Sequence, residues 1–286
     1  MTVLKTPPSQ LFELAASRQQ RIDVSNTATW FFPGSKSRIL FVHGFRGDHH
    51  GLQAIIGGLP EHNCVAPDLP GFGSTGPMAT HDLASYGRWL HEFATETGPY
   101  DAIIGHSFGT LVVASAVSQG LNQLPVVLIN PITTRTSSQK SLAKKLATAY
   151  YRAGQNRIIG NWLLSSGLVT RAMSIGLVKS KKLGVRRFVH DQHAKYFSSF
   201  ASAESVIQGF HAASTGSVMD YVQFLNSRTL LLAGEQDLVA PISAQYELEA
   251  ALPEAELVVL AKVGHLTHYE CAEEVANSIS KFLEDK

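Results

Sequence analysis

The stretch "DAIIGHSFGT", Asp101 to Thr110, sets a serine between two glycines where a short apolar run meets a helix-like one. Gly-Ser pairs are ordinary turn chemistry. A serine held out on a sharp strand-to-helix turn is instead a nucleophile. Such a hydroxyl attacks only when a base takes its proton and a carboxylate orients that base. Six apolar runs carry chemistry-bearing residues at their ends: His43 after "RILFV", Asp68 after "NCVAP", Ser107 after "DAIIGH", Asn130 after "PVVLI", Asp237 after "RTLLLAGEQ" and His265 after "ELVVLAKVG". In an open parallel sheet, functional residues gather at the carboxyl ends of strands. The set holds one nucleophile candidate, acid candidates and a base, in the chain order Ser, Asp, His.

The elements that must position these groups follow from patterning. The runs are short, β-branched and apolar throughout, which suits strands buried on both faces of a parallel sheet. Between them, "THDLASYGRWLHEFATET" spaces Leu83, Tyr86, Leu90 and Phe93 by three and four, which predicts a helix with Thr80 as its cap. "FGTLVVASAVSQG" reads as a buried helix stopping at Gly120, "RIDVSNTATWFF" as a hairpin pair, and the last helix as running from about Tyr269 to Leu283. The alternation breaks after Pro131 and resumes near Arg228. The predicted fold class is therefore α/β, a mostly parallel central sheet with helices on both faces and an inserted helical cap. The core is placed at 1–131 and 226–286, and the cap at 132–225.

With 286 residues, 44% of them hydrophobic and 16% charged, the chain has material for one large core and no signature of disorder. Cys64 and Cys271 are too few for a disulfide framework and the start has no basic stretch leading into a long apolar run, so a cytoplasmic location is expected. No Cys/His cluster has zinc spacing. His190 and His193 could share a helix face, and are read as a polar pair rather than ligands. The charge is unevenly spread: residues 132–225 carry 13 Lys/Arg against 3 Asp/Glu, a balance of +10, and the remainder balances at −9. That split suits either docking of cap on core or outward cations such as Arg186 and Arg187 that draw in anionic substrates or acidic lipid. Within the cap, "IIGNWLLSSGLVTRAMSIGLV" is nearly long enough to span a bilayer, but Asn161 and Arg171 argue against a spanning helix. It is read as one or two buried cap helices, with a membrane-surface lid as the second reading.

Five motifs in order carry a resemblance. "FVHGF", "DLPGFGST", "GHSFG", "LLAGEQDLVAP" and "VGHLTHYE" are similar to the oxyanion segment, the D-x-P-G-x-G-x-S turn, the nucleophile elbow, the acid-bearing strand end and the histidine loop of cap-bearing α/β-hydrolases, over nearly the whole chain. The resemblance implies Ser107 as nucleophile, His265 as base and Asp237 as the acid that orients it, with no cofactor and no metal. It assigns the backbone N–H groups of Phe45 and Phe108 to the oxyanion hole, where spacing alone equally suggests Arg46. His265 is preferred to His268 because it directly follows Gly264. Some members carry the acid at the position of Asn130, which has no charge to supply. His106 is expected to pack locally, Asp68 to bond the "PGFGS" backbone, and His49 and His50 to lie in a solvated loop. The implied activity is hydrolysis of a carboxylic ester of a hydrophobic acyl or aromatic small molecule through an acyl-enzyme, with no nucleic-acid partner. The same triad serves C–C bond hydrolases, although "HGFRGD" departs from their Ser-Gly-Pro-Gly loop, and also thioesterases and perhydrolases. Ligand-binding proteins without activity, such as plant hormone receptors, share the scaffold. The sequence leaves the oligomeric state open.

Overall fold

Runs such as Ile103–Ile104 and Val126–Ile129 have no polar side to offer water, so the strands they form must be covered on both faces. The computed structural model describes residues 5–121, 124–135, 142–156 and 159–285. After helix α1 (Pro8–Ala16) come β1 (Gln20–Arg21), β2 (Thr29–Phe32) and β3 (Arg38–Val42), then α2 (Gln53–Gly57), β4 (Asn63–Pro67) and α3 (Leu83–Thr97). Strand β5 (Ala102–His106) runs directly into α4 (Phe108–Ser118), which is followed by β6 (Val126–Ile129). Helices α5 (Leu142–Ala153), α6 (Gly160–Leu164), α7 (Gly167–Leu177), α8 (Leu183–Tyr196) and α9 (Ala203–Thr215) then precede β7 (Thr229–Gly234), α10 (Ile242–Ala251), β8 (Ala255–Leu260), α11 (Thr267–Glu270) and α12 (Ala272–Glu284).

The sheet order is β1-β2-β4-β3-β5-β6-β7-β8. β1 and β2 pair antiparallel, as does β2 with β4, and every other pairing is parallel. Successive residues of each central strand point to opposite layers. Ile39, Phe41, Ile104 and Leu230 join α1, α2 and α12 in one cluster, whereas Leu40, Val42, Ile103 and Leu231 join α3 and α4 in the other. Helix α4 is buried along nearly its full length, which explains its lack of a polar face. Two expectations are corrected locally. Asp82, not Thr80, caps α3 by accepting from the Ser85 amide at 2.7 Å, while the Thr80 hydroxyl bonds the Ser85 hydroxyl. The last helix is broken at Cys271, whose φ of −144° and ψ of 42° are not helical, leaving α11 as a separate turn.

Helices α5 to α9 all come from the segment between β6 and β7. The segment is tied to the rest by backbone contacts: Phe72 bridges Phe200, Gly73 N–H donates to Ser199 at 2.9 Å, and Ala201 N–H donates to Gly71 at 3.0 Å. Glu270 on α11 accepts from the amides of Lys179 and Ser180. Arg46 reaches the other way. It is 1% exposed, donates to the Leu164 carbonyl and the Tyr150 hydroxyl, and lies 4.7 Å over the Phe197 ring. Of the ion pairs among the described residues, none joins residues 132–225 to the rest, and Arg135–Asp220 lies within the segment. Neither α6 nor α7 is the buried helix expected from the sequence: Trp162, Leu168 and Ile175 are exposed.

Candidate active site

Ser107 is the residue at which β5 becomes α4, and its φ of 52° and ψ of −117° lie in a region that side-chain-bearing residues rarely occupy. The turn survives because its neighbours have no side chains. A Cβ on Gly105 would stand 2.6 Å from the Gly109 carbonyl oxygen, and one on Gly109 would run into the backbone of Val42 and His43. The two glycines let the elbow press against β3 while Ser107 Oγ points outward.

Ser107 Oγ lies 2.7 Å from His265 Nε2, and His265 Nδ1 lies 2.7 Å from Asp237 Oδ2. The structure thus brings together the three side chains singled out from the sequence. Asp237 is fixed on its other oxygen, where Oδ1 accepts from the amides of Val239 at 2.7 Å and Ala240 at 3.0 Å. Burial alone would raise its pKa, but the His265 imidazole and these amides outweigh that and hold the carboxyl below its ordinary value. His268 is elsewhere: its ring lies against that of His106, tilted, with centroids 4.0 Å apart. Asp220 is half-exposed and pairs with Arg135.

One contributor was not legible in the sequence. Asn130, at the end of β6 with φ 48°, donates through Nδ2 to Asp237 Oδ2 at 2.7 Å and accepts the Thr267 hydroxyl. The residue dismissed for lacking charge therefore holds the carboxylate that has it. Only the strand-end position of Asn130 hinted at this.

The turn after β3 passes beside Ser107. A Cβ on Gly44 would lie 3.3 Å from Ser107 Cβ, and Gly47 N–H closes the turn on the Gly44 carbonyl at 3.1 Å. Arg46 supplies the positive φ of 58° that this turn needs. His43 braces it, with Nδ1–H donating to Gly44 at 2.9 Å and Nε2 accepting from Leu69 N–H at 2.8 Å. Phe45 follows Gly44, and Phe108 is the first residue of α4, where backbone N–H groups have no partner inside the helix. The Phe45 ring meets Phe72, Phe108, Tyr151 and Phe210 at 5.7 to 6.2 Å, so the ground next to Ser107 is aromatic.

Asp68 behaves as expected, accepting from the Ser74 amide at 2.8 Å, but it also accepts from His49 through both the amide and Nδ1 at 2.9 Å. His49 is accordingly buried, stacked at 3.4 Å on Trp30, and His50 stacks at 3.7 Å on Tyr196. The expected solvated loop is a packed one, because an aromatic from β2 covers it. Asp48, His49 and His50 bring three potential ligand atoms within 4.8 Å of one another, with His49 and His50 each engaged by a carboxylate.

The comparisons with known proteins agree with this architecture. The model of the Alpha/beta hydrolase family matches residues 39–278. The chain belongs to this family. A dihydrolipoyllysine-residue acetyltransferase component of an acetoin cleaving system from Cupriavidus necator is 29% identical over 87% of this chain, which spans 64% of that protein's length. A pimeloyl-[acyl-carrier protein] methyl ester esterase from Vibrio vulnificus is 25% identical over 85% of this chain and 92% of its own. Among solved structures, a thermophilic esterase from Thermogutta terrifontis superposes with a TM-score of 0.74 at 21% identity, covering 93% of this chain and 98% of the other, and shares the fold.

The buried imidazoles of this hydrolase predict its acid response. Burial, aided by neighbouring imidazoles, lowers His106 to about 3 and His193 to about 4, and burial lowers His43 and His268 as well. Below the ordinary histidine value of about 6.5 the unfolded chain binds protons that the folded one refuses. The stability from these neutral rings is full above that pH and is lost as pH falls below it. Asp237, also lowered, adds its loss only below its ordinary 3.8. The melting temperature should therefore drop between pH 7 and pH 5, and a flat profile in a calorimetric scan across that window would refute the reading.

Proposed function

We propose that the protein is a serine hydrolase that cleaves a carboxylic ester of an apolar or aromatic small molecule. The observation that carries this reading is the pair of 2.7 Å contacts linking Ser107 to His265 and His265 to Asp237 on a strained elbow. In the proposed reaction Ser107 Oγ attacks the ester carbonyl carbon while His265 Nε2 takes the hydroxyl proton. The oxyanion is held by the Phe45 and Phe108 N–H groups, each such donor lowering the barrier by about 3 kcal/mol. His265 passes its proton to the departing alkoxide, leaving an acyl-Ser107. Water, deprotonated by His265, then attacks that acyl group and releases the acid and free serine. No step calls for a cofactor or metal.

Residues 132–225 act in this reading as a cap over a core of 1–131 and 226–286, with Tyr151 and Phe210 closing the aromatic wall around Phe45. The Vibrio vulnificus relative is named for a methyl ester, the bond class assigned here. The buried, unpaired thiols of Cys64 and Cys271 suit a cytoplasmic enzyme. A series of p-nitrophenyl esters of graded acyl length, run beside a vinylogous diketone, tests the assignment. Ester turnover should rise from acetyl towards longer or aromatic acyl groups. Cleavage of the diketone with no ester turnover would move the enzyme to C–C bond hydrolysis.

A further inference from the structure

Helix α7 turns only part of its apolar surface inward: Leu177 packs on the core, while other large apolar side chains face water. A surface helix ordinarily turns apolar side chains to the core and polar ones to water. Here Thr170 and Ser174 are the buried side chains, while Leu168 is 85% and Ile175 51% exposed. The inward hydroxyls are taken up locally: Thr170 bonds Ser198, and Ser174 Oγ lies 2.7 and 2.8 Å from Nδ1 of His190 and His193. On the adjoining α8, Leu183 is 83% exposed. Ile175 and Leu183 line one open groove with Arg171, Arg186 and Arg187, in which Asp191 is the single carboxylate.

Large apolar side chains shown to water beside a cluster of cations mark a contact surface. The cations are not spent on the core, since none of the ion pairs described joins residues 132–225 to the rest. The occupant must welcome both features. A second copy in two-fold contact would set the +10 segment against itself. A nucleic acid would use the arginines and leave the leucines wet. An anionic bilayer uses both, taking leucine and isoleucine into the headgroup boundary and pairing arginine with phosphate. No helix among the described residues is long and apolar enough to cross a membrane, so the contact is peripheral. We infer that the α7–α8 face docks on an anionic phospholipid surface. This inference stands apart from the hydrolase reading and survives its failure.

The test is co-sedimentation of the full chain with vesicles of phosphatidylcholine alone and of phosphatidylcholine with phosphatidylglycerol. Binding is expected to the anionic vesicles only, weakening as salt rises. Arg171→Glu/Arg187→Glu should lower the partition coefficient about thirtyfold or more, at roughly fivefold for each basic residue lost. Ile175→Ser/Leu183→Ser keeps the charge and should also release the protein, while both variants keep the wild-type melting temperature and far-UV circular dichroism. Four outcomes overturn the inference: no binding to either vesicle, equal binding to both, full binding by the serine variant, or a wild-type dimer that Leu183→Ser dissociates. The third would reduce the contact to general attraction for polyanions, which binding to duplex DNA at the same salt would identify.

Discussion

Ser107→Ala should abolish fluorophosphonate labelling and lower kcat by about 10⁶, the scale seen when a serine hydrolase loses its nucleophile. The size follows from position. Nothing but the 107 side chain has its oxygen 2.7 Å from His265 Nε2 among the described hydrogen bonds, so no neighbouring hydroxyl inherits the base. The hydroxyl makes no other described side-chain bond, and alanine keeps the backbone that supplies the Phe108 N–H. The variant should therefore fold, melt near the wild-type temperature and still bind an unreactive ester analogue. Mass spectrometry of the labelled wild type should find one adduct, on the peptide containing Ser107. Labelling that persists in Ser107→Ala, or an adduct on a different serine, would refute the nucleophile assignment.

The parts of the molecule that were legible in the sequence are those whose environment is local. Strands β3, β5, β6 and β7 announced themselves because burial on both faces leaves no polar alternation, and their ends displayed the candidate groups. The front hairpin was legible as well, although its pairing across β2 onto β4 was not, since register depends on a partner more than 30 residues away. Context-dependent features were misread. His49 looked solvated because nothing near it in sequence predicts that Trp30 will lie 3.4 Å away. The helices of "IIGNWLLSSGLVTRAMSIGLV" looked buried because apolar content, not direction, was visible; the structure turns Thr170 and Ser174 inward instead. Thr80 and Asp82 are both good caps two residues apart, and only the backbone decides between them. Asn130 carries no charge, so its residue type alone gives no sign that its amide holds the Asp237 carboxylate.

Asp237→Asn should lower kcat by about 10⁴, for a reason that lies in its hydrogen bonds. Asp237 presents two different sides: Oδ1 meets the N–H groups of Val239 and Ala240, and Oδ2 meets N–H groups of Asn130 and His265. All four are donors, and a carboxylate accepts them all. In Asp237→Asn one side must become an amide NH₂. The backbone pair cannot turn away, so the NH₂ faces His265 and forces its ring to present a bare Nδ1. The proton then sits on Nε2, pointing at Ser107, and the ring can no longer act as base. An equivalent tautomer switch lowers kcat by about 10⁴ in serine proteases, and the same scale is expected here. Asp220→Asn, whose carboxylate meets Arg135 instead, should leave kcat unchanged. Asn130 offers the complementary change. Its Nδ2 stands 2.7 Å from Asp237 Oδ2, so Asn130→Asp in the Asp237→Asn background returns a carboxylate next to residue 237 and gives the new NH₂ an acceptor. Coupling between side chains in contact reaches about 3 kcal/mol, so the double variant should recover about tenfold or more in kcat over Asp237→Asn. Near-wild-type turnover in Asp237→Asn alone would show that another group orients His265, and a double variant no faster than the single one would show that the carboxylate cannot act from the end of β6.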